Sequence, residues 1–459
     1  MRIFDCILYA GEIELLLLRL HELFDDVDVF VIVESVKSFR GETKPLLLRT
    51  LWAKIRPFAR KIRYVVVDDD IAFDNEKDRK IAQRNACQRG LLDANDADLI
   101  CVADVGEIPN ATTIRSLRND TADVFRFNLS NFRFHGNVHD TQNTPAEPAS
   151  AFRKQVLDRY TPSEVRYGIG SGLIDAKQID DAGWRYSRAS SNTSNTVSRP
   201  EECTSNAKLA PMVICPYVYD EDRLQVIAAF ELDDSAAQHF PIYFWKDEHL
   251  IGPERAYAHC WNQFPDRDVI IIHTDMRPMP DDKQNNWYDA LCTKAEQLPD
   301  AGLIGCDLLY PLRSPSGHWY AQCAGGYFKD GRVTHFGGGV SLADNSATAA
   351  AYEYDDRFAK VRKSPWVTFG GVYIRRETID MIGDFDTRYL WAYVMDVDYC
   401  LEATIRGQRI YQVPVNLLHE ESTTSKKFLG QPEYLAKAEG NMRKFLEKWD
   451  WYLSRLGDN

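Results

Sequence analysis

Residues 99–109 read LICVADVGEIP, and this stretch decides the architecture. Leu99 to Ala103 is an unbroken apolar run, the pattern of a strand buried on both faces; it runs into Asp104 and Glu107 and is stopped by Pro109. In an open parallel sheet the ligand crevice lies beyond the carboxyl ends of the strands, so these carboxylates fall where a ligand would sit. Two readings stay open: acids at a strand end hold a divalent cation against phosphates, or Asp104 caps the following turn.

Outward from this stretch, strand and helix patterns alternate. Ile3 to Tyr9, Val27 to Glu34 (VDVFVIVE) and Ile62 to Val67 read as strands, and Glu12 to Phe24 and Lys77 to Ala94 as helices. Residues 187–206 (SRASSNTSNTVSRPEECTSN) carry almost nothing to bury and read as a linker. The alternation then restarts with Met212–Tyr217, a helix near Asp222–Glu231, Pro241–Trp245, a helix Pro253–Trp261 and Val269–His273. This second series also ends a strand in an acid, Asp275, in DVIIIHTDM. Two similarly built α/β domains are expected, although no repeat is visible residue by residue.

Composition agrees. A chain of 459 residues exceeds one hydrophobic core, and 44% hydrophobic with 27% charged residues is globular material. A net charge of −13 argues against a nucleic-acid partner, because phosphate backbones are met by clustered Lys and Arg. The leucine run Leu15–Leu18 is enclosed by Glu12, Glu14, Arg19 and Glu22, too short for a membrane span and too charged for a signal peptide. The ten cysteines are scattered with no Cys-x-x-Cys pair, as expected of reduced thiols in a cytoplasmic chain.

Further chemistry-bearing stretches lie in the second half: TFGGVYIRRETIDMIGDFDTRY, MDVDYC with Asp396 and Asp398 at a helix start, and LLHEES with His419 at a strand end. With IIIHTDM they make residues 210–425 resemble inverting family 2 glycosyltransferases of the GT-A fold. The resemblance implies that Asp275 holds a divalent cation, Mn²⁺ or Mg²⁺, on a nucleotide-sugar diphosphate. It implies that Asp396 is the base and that His419 completes the metal site. Met395 stands where Glu is usual, and His273, at the donor site, where many relatives have Asp. Trp319, Tyr320, Trp366 and Trp391 lie in the same segments and suit either a core or sugar rings. The glycine run of FGGGV (Phe336–Val340) suggests a flexible acceptor loop.

The first half resembles family 17 glycosyltransferases, the β-1,4-mannosyl-glycoprotein N-acetylglucosaminyltransferase family, through IFDCILYAGEIELLLLRLHELFDDVDVFVIVES, KSFRGETKPL, RNACQRGL and ADVGEIP. The family signature reads Asp-Val-Asp-Glu-Ile-Pro; Gly106 replaces the second Asp here, and Arg185 in AGWRYS stands where a His is expected. Asp104, Glu107 and Glu34 become donor-binding candidates, with Asp104 also a metal candidate. Three states are open for this half: a transferase with an altered metal site, a metal-independent one, or a degenerate domain kept for glycan binding or as a scaffold.

Together these resemblances imply an α/β fold of two tandem GT-A-type (Rossmann-like) domains with mixed, mostly parallel sheets, residues 1–186 and 209–459 joined by a linker 187–208. The implied reaction is inverting transfer of a sugar from a UDP-, GDP- or dTDP-sugar to an oligosaccharide or glycolipid acceptor, with at most peripheral contact at the inner membrane face. A sugar nucleotidyltransferase is the rival enzyme, but VICPYVYDED lacks the basic glycine-rich loop that chemistry calls for.

Overall fold

The computed structural model describes residues 1–68, 75–133, 138–139, 147–187, 209–232, 240–280, 286–329, 331–389, 393–420 and 432–456. The expected linker, apart from Ser187, and Trp391 lie outside them. The chain divides into two compact units, Met1–Ala207 with Ile405–Gly407, and Lys208–Thr404 with Gln408–Asn459.

The first unit is built on β1 (Ile3–Leu8), β2 (Val29–Ser35), β3 (Ile62–Val67), β4 (Leu99–Asp104), β5 (Glu107–Pro109), β6 (Val124–Phe127), β7 (Ser130–Arg133), β8 (Val138–His139), β9 (Ser150–Arg153), β10 (Lys177–Ile179) and β11 (Gly183–Ser187). The main sheet runs β10-β6-β9-β4-β1-β2-β3, and only β9 is antiparallel to its neighbours. Its central strands are buried along almost their whole length and mostly apolar, as expected of parallel strands covered on both faces, with Asp5, Glu34 and Arg63 as buried charged exceptions. Phe4, Val31, Val65, Ile100 and Phe152 meet in one core, with Val165 and Ile169 of helix Pro162–Ser171 packed on it. Helix Ile13–Leu23 buries Leu16, Leu20 and Leu23, an i, i+4, i+7 stripe. The same helix sends the wholly buried Arg19 to Asp5 and to the carbonyls of Asp104 (3.1 Å) and Glu107 (2.6 Å), which fixes the turn at the end of β4. The helix expected over 77–94 is shorter: Asn75 caps it, Glu76–Asn85 is α-helical, and Ala86–Gly90 tightens to a 3-10 turn.

In the second unit the strands are β12 (Met212–Tyr217), β13 (Ile242–Lys246), β14 (Val269–Ile271), β15 (Met276–Pro278), β16 (Ala301–Arg313), β17 (Trp319–Cys323), β18 (Gly326–Lys329), β19 (Arg332–His335), β20 (Val340–Ser341), β21 (Ser346–Ala347), β22 (Arg362–Lys363), β23 (Val372–Ile374) and β24 (Arg409–His419). The main path is β13-β12-β14-β23-β16-β24-β15.

The two sheets share a plan that the amino-acid sequence conceals. In the first, β2-β1-β4-β9-β6-β10 pair in the senses parallel, parallel, antiparallel, antiparallel, parallel. In the second, β13-β12-β14-β23-β16-β24 repeat those senses in that order. A short strand follows each acid-bearing turn: β5 pairs antiparallel with β11 in a separate four-stranded sheet, β5-β11-β7-β8, and β15 pairs antiparallel with the end of β24 in the main sheet. Both units are therefore α/β and Rossmann-like.

Candidate active site

In the second unit β14 ends at Ile271, two residues earlier than expected, so His273, Thr274 and Asp275 form the turn into β15. Register pairs Met276 with His419, and the Glu420 N–H donates to the Asp275 carbonyl at 2.9 Å. Two residues far apart in sequence are thereby neighbours: His419 Nε2 lies 3.0 Å from Asp275 Oδ1. His273 joins them, and one ligand atom from each of the three lies within 4.8 Å of the others.

Each imidazole is oriented by a second partner. The Tyr257 hydroxyl is 2.8 Å from His273 Nε2, and Gln322 Oε1 faces His419 Nδ1. Tyr257 comes from helix Pro253–Asn262, which Pro253 starts, and its ring lies beside those of Phe369 and Phe385. Burial first, then the neighbouring His419, hold the His273 imidazole down at about 4, so it is neutral at physiological pH and can act as a ligand. With its Nδ1 directed at an amide oxygen, His419 turns Nε2 toward Asp275, the orientation that metal-bound histidines take from a hydrogen bond on their far nitrogen. A carboxylate and two imidazoles suit a divalent ion, and the imidazoles favour a transition ion over Mg²⁺.

Asp396 lies in the first turn of helix Met395–Ile405 and lines the same cavity of about 600 Å³ as His273, Asp275 and His419. Burial raises its carboxyl to about 6, against opposing backbone N–H groups from Val397 and Asp396 itself. The chain reaches it through Tyr393 and Val394, both left-handed at φ 63° and 56°. That conformation is strained for a β-branched residue, and strain of this kind gathers at functional sites. Asp398, two residues on, is structural. Buried, it accepts from Trp449 Nε1 (2.6 Å) and Tyr389 OH (3.0 Å) and pairs with Lys448 (2.8 Å), tying helix Pro432–Leu456 to the helix that carries Asp396.

The sequence reading missed Asp247, Tyr257 and Gln322. Asp247 follows β13, is buried, and lines the cavity, so the rule that picked out Asp104 and Asp275 would have found it. Trp366 lines the cavity too, whereas Trp319 lies under the Arg313 guanidinium at 3.9 Å. Two glycines of FGGGV answer to backbone packing: a Cβ on Gly337 would stand 2.0 Å from the Gln322 carbonyl, and one on Gly339 would stand 2.9 Å from the Ala351 nitrogen, whereas Gly338 faces open space at a φ of 95°.

The first unit's acids are committed internally. Asp104 pairs with Lys80 (3.0 Å), Arg84 (3.4 Å) and Arg166 (3.4 Å). Burial alone would raise its carboxyl, but these cations, Arg166 foremost, hold it well below the ordinary carboxylate range. Glu107 is buried, accepts from Arg166 (2.9 Å) and from the Asp104 N–H (2.8 Å), and has Arg185 at 3.6 Å. Arg166 is presented by helix Pro162–Ser171, which starts with a capping box between Thr161 and Glu164. Glu34 has no exposed surface; its oxygens accept from Lys44 (2.9 Å), Leu47 N (2.8 Å), Leu48 N (3.1 Å) and Tyr64 OH (2.7 Å).

Residues 1–151 match Glycosyltransferase family 17. No curated protein matches the chain. Among solved structures, GalNAc-T7 with UDP, GalNAc and Mn²⁺ is similar at 11% identity and a TM-score of 0.33, over 47% of this chain and 44% of that one. The chain thus spans less than half the length of that structure. The A197 protein from STIV is similar at 12% identity and a TM-score of 0.26, over 45% of this chain and 83% of that one. The class that the family match supports is glycosyltransferase, carried by residues 1–151. No described helix is long and apolar enough to cross a membrane.

Proposed function

We propose that the chain is a glycosyltransferase whose reaction centre lies in the second unit, of GT-A type, and that it moves a sugar with inversion from a nucleotide-sugar donor (UDP-, GDP- or dTDP-linked) to an oligosaccharide or glycolipid acceptor. The observation that carries this reading is that Asp396 shares one cavity with His273, Asp275 and His419. Those three would hold Mn²⁺, or less readily Mg²⁺, which would neutralise charge on the departing diphosphate as a Lewis acid.

Asp396 takes the proton of the acceptor hydroxyl while that oxygen bonds to the anomeric carbon and the bond to the diphosphate breaks. The transition state resembles an oxocarbenium ion, and a single displacement leaves no sugar on the protein. A carboxyl raised to about 6 is a better base than a solvated one and is still ionised at neutral pH. Tyr257 and Gln322 hold the two imidazoles in place, and Trp366 and Phe369 contribute apolar lining to the cavity wall. Contact with a membrane-borne acceptor would be peripheral, from the cytoplasmic side.

The test is release of nucleoside diphosphate from a panel of sugar nucleotides with Mn²⁺. Free UDP, GDP or TDP is expected, and Asp396→Asn should lower turnover by about 10²- to 10⁴-fold with donor affinity retained. Pyrophosphate as product would point to the nucleotidyltransferase reading, and donor affinity lost along with turnover would show that Asp396 is not the base.

A further inference from the structure

The shared plan of the two sheets lets their sites be superposed by register. Glu107 pairs with Arg185 across β5 and β11, as Met276 pairs with His419 across β15 and β24. One residue further, the Tyr186 N–H donates to the Gly106 carbonyl at 2.9 Å, as the Glu420 N–H donates to that of Asp275 at 2.9 Å. Gly106 is therefore the counterpart of Asp275, Arg185 of His419, and, counting two residues back along each turn, Asp104 of His273. The three positions that converge on a cation site in the second unit are filled in the first by one carboxylate, no side chain, and a guanidinium.

From this we infer that the first unit is a metal-free counterpart of the second, its cation replaced by side chains of the chain itself. Three observations converge on it. Arg185 is a fixed positive charge at a ligand position and already faces Glu107 at 3.6 Å. Asp104, the one carboxylate left of the three positions, is taken up by Lys80, Arg84 and Arg166, two of them with side chains that are 1% exposed. The missing acid has no room to return, since a Cβ on Gly106 would stand 2.8 Å from the Tyr186 carbonyl, part of the strand that would have to move. Arg166 and Arg185 hold Glu107, the acid one residue on, in the same way. Four cations thus surround three acids, Asp104, Glu107 and Glu147, and a divalent ion would enter against them.

The inference takes its reference from the metal site proposed for the second unit, but its content, that no divalent ion is held at Asp104 and Glu107, fails or stands separately from it. Its test is the number of Mn²⁺ ions bound by the full chain at saturation, read by electron paramagnetic resonance of free Mn²⁺. One ion per chain is expected in the wild type, none in Asp275→Ala/His419→Ala, and one in Asp104→Asn. Two ions in the wild type, or one that survives Asp275→Ala/His419→Ala and leaves when Asp104→Asn is added, would overturn it. A wild-type chain that binds none would uphold the first-unit inference and overturn the proposed metal site of the second. Circular dichroism of each variant establishes that it is folded.

Discussion

The turn after β4 and the turn after β14 occupy the same place in two sheets of the same plan, yet they solve opposite electrostatic problems. In the second unit His273 and His419 gather on the Asp275 carboxylate, and a 600 Å³ cavity opens beside them. In the first, every acid at the turn is met by Lys or Arg. The lesson is that a strand-end acid marks a position in the fold. Whether it becomes a ligand depends on what distant helices bring to it.

That contrast can be tested by removing a charge from each side. Arg166→Met should strip Glu107 of its closest buried partner, and breaking a buried pair in this way costs about 3–5 kcal/mol. Chemical denaturation of the full chain should show that loss in the first unit's transition, while Asp275→Ala leaves that transition unmoved. An Arg166→Met chain as stable as the wild type would mean that the cluster is not what holds the first turn together.

A smaller effect separates the two units by pH. Asp396 has its folded value raised to about 6, so the carboxylate needed as base is lost as pH falls through that value. Turnover at saturating Mn²⁺ should be flat above it and drop about tenfold per unit below it. Asp104 is shifted the other way: its folded value lies below the ordinary 3.8, so its ion pairs persist through that range and are lost only at lower pH. The first unit should therefore keep its structure, by near-ultraviolet circular dichroism, across the pH range in which turnover falls. A turnover profile unchanged down to pH 4 would remove Asp396 from its role.

Much of the fold was legible because it rests on local signals. Runs such as VFVIV and LICVA are strands since nothing in them tolerates water, and the restart at Met212 marks a second sheet. Strand order was not legible. Nothing local says that β9 and β23 insert antiparallel beside the acid-bearing strands, and the aligned turns DVGEIP and HTDMRP share only their proline. The same limit governed the sites. Asp275 came from its place at a strand end and Asp396 and His419 gained their roles from motif resemblance, and the structure brings all three to one cavity. The pairing of Arg166 and Arg84 with Asp104 was not legible, although Arg84 opens the RNACQRGL stretch, because Asp104 lies 62 and 20 residues away and only the packed helices join them. Gly106 read as one lost acid; the pairing of β11 turns it into one member of a coordinated replacement that includes Arg185.

The most direct test of the whole account is anomalous scattering from a crystal of the full chain grown with Mn²⁺. A single ordered Mn²⁺ peak bounded by His273, Asp275 and His419 is expected. A peak at Asp104 and Glu107, or none at the three residues of the second unit, would contradict it.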